Sequence, residues 1–144
     1  MGMLRPERED EIEWLINYFN SCHDACMRKI TFIKKRDVDV SEGTLIYPYN
    51  DPKEFIYTDI EIEFILNNYP NAKTNQIVLF EFRESQSFIF FQDDNFDYAD
   101  IYELKFEKNN YSLLNFTFYC NEEKKDFLKI SCKKFACKEL NCGY

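Results

Sequence analysis

Glycine and proline are scarce in this chain. Three glycines and four prolines in 144 residues exclude a glycine-rich phosphate loop, a flexible linker and a low-complexity region. Basic residues are outnumbered too, 18 against 26 acidic ones, for a net charge of −8. A negative field of that size repels nucleic acid and anionic membranes and speeds encounter with basic proteins. No apolar run approaches the length that spans a bilayer. The opening Met-Gly-Met-Leu-Arg-Pro-Glu-Arg-Glu-Asp lacks the apolar stretch of a secretory leader. The six cysteines, Cys22, Cys26, Cys120, Cys132, Cys137 and Cys142, are therefore expected as free thiols in a reduced, cytoplasmic protein.

Aromatic side chains are abundant, with 15 Phe and 10 Tyr making most of an 18% aromatic content. Such residues suit pleated, half-buried surfaces, so the composition leans toward sheet. The length is that of one ordinary domain. A single domain over residues 1–144 is expected, with 1–6 and 138–144 as ends outside its ordered body.

The plainest pattern lies at residues 58–64, Thr-Asp-Ile-Glu-Ile-Glu-Phe. Ile60, Ile62 and Phe64 alternate with Asp59, Glu61 and Glu63, the period of a strand with one buried face. The other face is a row of three carboxylates, whose mutual repulsion needs an offset.

Elsewhere, Ile12, Leu15, Ile16 and Phe19 fall on one stripe of a helix over residues 7–21, with Pro6 before it and acids in its first turn. Strands are read at 27–33, 45–47, 55–66, 76–82, 87–92, 101–106, 111–120 and 127–132. The polar stretch 37–43 reads as a turn. The short polar break 84–86 makes 76–82 and 87–92 a hairpin, and 133–144 is a Lys- and Cys-rich tail without an assigned element. The strands follow one another, so neighbours are expected to pair as a meander. The fold class is α+β, mainly antiparallel β: an N-terminal helix packed on a curved sheet, or partly open barrel, of about seven strands.

Several clusters could carry chemistry. Cys22-His23-Asp24-Ala25-Cys26 holds the single histidine, and Cys22, His23 and Cys26 could ligate zinc. The Cys-x3-Cys spacing departs from zinc knuckles, however. Adjacent Cys and His residues on a strand point apart, which disfavours a nucleophilic pair. His23 or Asp24 satisfying backbone groups at the helix-to-strand junction is the simpler role. Glu103-Leu104-Lys105, with acids upstream, resembles the metal-binding strand of PD-(D/E)xK nucleases, but the chain lacks their basic surface. Residues 93–107 hold six acids against one lysine, with Phe96, Tyr98 and Tyr102 among them. Aromatics inside a charged patch suit a protein interface.

The order of helix, His-Asp-Ala, Met27-Arg-Lys-Ile-Thr-Phe, Asp-Ile-Glu-Ile-Glu-Phe and Ser-Phe-Ile-Phe-Phe, spanning residues 22–106, resembles small bacterial immunity proteins of polymorphic or contact-dependent growth inhibition toxin systems. The resemblance implies a cytoplasmic protein that binds and neutralises a cognate basic toxin domain, often a nuclease. The chain is then no enzyme and uses no cofactor, no nucleic acid and no membrane. The partner-binding residues expected are Asp59, Glu61, Glu63, Asp93, Asp94, Phe96, Asp97, Tyr98, Asp100 and Glu103. The alternatives are a metal-binding or cysteine-dependent enzyme and a self-associating scaffold subunit. Oligomeric state is left open.

Overall fold

The computed structural model describes residues 5–6, 8–34, 37–46, 58–66, 76–91, 100–109, 113–120 and 125–140. Helix α1, Glu9–Tyr18, opens with Glu9, Asp10 and Glu11 in its first turn, where carboxylates meet the positive end of the helix dipole. Its stripe of Ile12, Leu15, Ile16 and Phe19 is buried as the periodicity requires. A 3-10 turn, Asn20–Cys22, then redirects the chain.

Among the described residues eight strands follow: β1 Cys26–Ile33, β2 Asp37–Asp39, β3 Thr44–Ile46, β4 Thr58–Leu66, β5 Gln76–Phe90, β6 Glu103–Lys108, β7 Leu114–Tyr119 and β8 Asp126–Leu140. Six form one antiparallel sheet in the order β1-β4-β5-β8-β7-β6, and β2 with β3 make a separate ribbon. The fold is α+β and mainly antiparallel. The meander expectation holds for β4–β5 and for β6–β7–β8, but the central pair, β5–β8, joins strands distant in sequence.

Three readings of the sequence are corrected. The segments 76–82 and 87–92 are not a hairpin, because 76–90 is one strand. The polar break at 84–86 has no Asn-Gly or Gly-containing turn chemistry to reverse the chain. It forms a bulge instead: Glu84 takes a left-handed backbone with φ 53°, and the register with β8 slips between Ser85 and Ser87. The tail is also a strand, and Lys138 lies inside β8 rather than in a loose end. Phe135 and Cys137 sit opposite Phe82 and Phe80 on β5 and are buried. Finally, the polar stretch 37–43 contains β2. Its turn back to β3 uses Gly43 at φ 69°, and the Asp39 carboxylate accepts from the Ser41 amide (3.0 Å) and hydroxyl (2.6 Å). Tyr47 and the breaks at 48–52 and 67–75 lie outside the described residues.

Phenylalanine fills the core. Phe82 lies 5.0 Å from Phe116, 5.5 Å from Phe135 and 6.2 Å from Phe80, centroid to centroid. Phe64 stacks on Phe118 at 5.5 Å. Helix α1 covers this face of the sheet by way of Phe19, 5.8 Å from Phe80. Among the described residues the two edges of the sheet approach each other at one end. There Asp24 N–H donates to the Ile101 carbonyl (2.9 Å), Ile101 N–H donates to the Ala25 carbonyl (2.8 Å), and Cys26 bridges Asp100. These bonds stitch the start of β1 to the lead-in of β6. Among the described residues no ladder joins β1 to β6, so the sheet is not closed into a barrel.

Candidate functional site: the outer face and the aromatic end of the sheet

Asp59, Glu61 and Glu63 share the face of β4 opposite Ile60, Ile62 and Phe64, as their alternation demands. Their neighbours change what that face can do. Asp59 is 6% exposed, and its carboxylate accepts the Glu84 amide at 2.9 Å. It therefore holds the bulge in β5. Glu63 stands opposite Lys29, with the Arg28 guanidinium 3.7 Å away. Glu61 faces Glu81 on β5, a like-charge pair that costs stability on its own. Arg83 offsets it by donating to Glu81 at 2.6 and 2.9 Å. Glu81, then Asp59 and Glu61, hold the Arg83 guanidinium all the more firmly protonated. The acidic row thus carries counter-charge from its own fold, and Arg83 was the part that sequence reading missed. Its signal was the Glu81-x-Arg83 spacing, which puts both side chains on one strand face.

Asp100 joins the same outer surface beside Cys26 and Ile65 through its bridge. Glu103 begins β6 opposite Tyr119. It shares a strand face with Lys105, whose ammonium lies 5.7 Å from the Tyr119 ring centroid. Asp93, Asp94, Phe96, Asp97 and Tyr98 lie outside the described residues. Of the expected partner-binding set, Asp59, Glu61 and Glu63 are therefore brought together, with Asp100 and Glu103 toward the stitched end of the sheet.

A second feature lies at the end of β5. Ile89, Phe90 and the following Phe91 are 57, 39 and 50% exposed, and Phe32 on β1 is 53% exposed. Phe32 packs edge-on against Phe88 at 4.7 Å, and Lys125 covers Phe91 at 5.3 Å. Ile89 and Phe90 alternate along β5 and face opposite sides, so this end of the sheet carries exposed apolar side chains on both faces. In the sequence the run Phe88-Ile-Phe-Phe reads only as part of the strand 87–92. Trp14 and Tyr18, stacked at 5.4 Å, are likewise exposed. Their i, i+4 spacing places them off the buried stripe of α1.

The Cys-His-Asp cluster has a structural use. His23 Nδ1 donates to the Tyr102 carbonyl at 2.6 Å, and its ring meets the Tyr102 ring edge-on at 5.2 Å. Ser21, Cys22 and Asp24 all take left-handed backbones, with φ 52°, 56° and 61°, a tight turn that aims His23 at residue 102. Cys22 is buried while His23 and Asp24 are exposed. No group of three metal-binding side chains assembles among the described residues. Burial raises the Cys22 thiol and pushes Cys132 and Cys137 up to about 12, which makes all three poor nucleophiles. Cys142 lies outside the described residues. Among those residues no helix is long and apolar enough to cross a membrane.

The chain matches no family model, no curated protein and no solved structure.

Proposed function

We propose that this chain is a protein-binding module rather than an enzyme, and in particular an immunity protein that neutralises a cognate basic toxin domain. The observation that carries the reading is the exposed apolar end of the sheet, Phe32 with Ile89, Phe90 and Phe91. Buried aromatics supply most of the energy of a protein interface, and charge around them supplies rate and selectivity. In sequence, Phe91 leads directly into Asp93, Asp94 and Asp97, so aromatic anchors and carboxylates follow one another along the chain. The row on β4 contributes less than its sequence suggests, because Arg28 and Arg83 answer it. The net charge of −8 still favours a cationic partner.

The test is co-expression with the product of the neighbouring gene. Growth arrested by that product is restored by the wild-type chain, the two proteins co-elute, and their association slows steeply as salt rises. The double variant Ile89→Asp/Phe91→Ser stays folded and loses the complex. A neighbouring product that is harmless, or that never binds, removes the immunity role. A complex that the double variant leaves intact moves the interface elsewhere.

A further inference from the structure

The structure holds a concavity beside the C-terminal half of β8. β8 pairs with β5 over its whole length beyond residue 128 but with β7 only as far as Cys132. From residue 133 onward the second edge of β8 has no strand beside it among the described residues. A groove of about 630 Å³ lies there, walled by Arg5, Arg83, Lys108, Lys133 and Lys134. Its floor is Leu114, Phe135 and Ala136, all buried. The five cations come from four separate stretches of chain, and no carboxylate is among the described wall residues.

Three of these charges are engaged already: Arg83 is bound to Glu81 at 2.6 Å, Lys134 lies 3.9 Å from Glu84, and Lys133 has an interaction of its own. Arg5 and Lys108 make no ion pair among the described residues. Basic side chains crowded around one hollow repel one another, and in a chain of net charge −8 their gathering is not a by-product of composition. An anion in the groove relieves that repulsion.

We propose that this groove binds a small molecule carrying two or more phosphate groups. The volume is that of a small-molecule site and too small for a folded domain. Arg and Lys around an apolar floor suit phosphate oxygens, which take charge-assisted hydrogen bonds from several donors at once. The site does not depend on the protein-binding reading, which uses Phe32 and Ile89 to Phe91 in another part of the sheet.

The experiment titrates the full chain with sodium pyrophosphate at constant ionic strength, by calorimetry and by amide chemical shifts. Saturable one-to-one binding is expected, with shifts concentrated at Arg83, Lys108, Leu114 and residues 133–136. Lys108→Gln and Lys134→Gln, both surface changes, each weaken binding about tenfold. Lys129→Gln, in the other half of β8, leaves binding unchanged. Non-saturable shifts spread over all the lysines, or an equal loss in Lys129→Gln, overturn the proposal. So does a self-associated form of the chain that pyrophosphate does not compete with, since the groove would then belong to a second copy.

Discussion

The Asp59 carboxylate accepts the Glu84 backbone N–H at 2.9 Å, across the β4–β5 pair, at the point where β5 leaves regular register. A side chain that reads as surface charge is thus the clasp of a bulge.

Replacing Asp59 with Ala is expected to lower stability by about 1–3 kcal/mol, since it leaves a part-buried amide unpaired. Asp59→Asn keeps an acceptor oxygen and loses less. Thermal melts of the two variants separate this role from a purely external one, in which neither melting temperature would move.

Glu84 occupies left-handed backbone space at φ 53°. A Cβ costs about 1 kcal/mol there, and its removal loosens the unfolded chain as well. Glu84→Gly keeps the amide that Asp59 binds, so its denaturant midpoint should be unchanged or slightly raised. A fall of more than about 1 kcal/mol would show that the 3.9 Å contact with Lys134 matters more than backbone strain.

Phe82 touches Phe80, Phe116, Phe118 and Phe135. Phe82→Ala is expected to cost about 3–5 kcal/mol, a large share of the stability of a domain this size. Phe82→Leu, which keeps more of the volume, should cost markedly less and give a measurable urea transition.

The buried thiols set an alkaline limit. Burial pushes Cys132 and Cys137 from an ordinary 9.0 to about 12. Because these folded values lie above the unfolded one, their contribution is whole below about pH 9 and drains away up to about pH 12, at up to about 1.4 kcal/mol per pH unit for each thiol. Cys132→Ala should flatten that limb in unfolding curves recorded against pH. At about pH 8 iodoacetamide should label these two cysteines far more slowly in the native chain than in urea.

His23→Ala removes the hydrogen bond to the Tyr102 carbonyl. A loss of about 0.5–1.5 kcal/mol is expected, with faster amide exchange at Asp24 and Ile101, whose mutual stitching depends on the turn. His23→Asn, which keeps a donor near Nδ1, should restore most of the protection. Equal exchange in all three proteins would detach His23 from the closure.

The sequence disclosed what depends on periodicity. The stripe of α1, the alternation in β4 and the hydrophobic face of β7 were legible because burial on one side leaves a repeating trace. The corrected segments share a cause: local polarity does not by itself mark a turn. Glu84-Ser85-Gln86 is polar yet stays within a strand, because a bulge also exposes side chains. Residues 133–138 looked like a tail because Lys133, Lys134 and Lys138 mask the buried Phe135 and Cys137 between them. The candidate site was harder still. That Arg28 and Arg83 would answer the carboxylates follows from register, and register comes from long-range pairing that no local pattern encodes.

The β5–β8 pair has a consequence for biosynthesis. β8 is the last described strand to emerge from the ribosome, yet it occupies the middle of the sheet. Until it arrives, β4–β5 and β6–β7 are two separate ribbons, and β5 offers a fifteen-residue edge with Phe80 and Phe82 beside it. Such an edge recruits any strand within reach, so the nascent chain is at its most aggregation-prone just before β8 emerges.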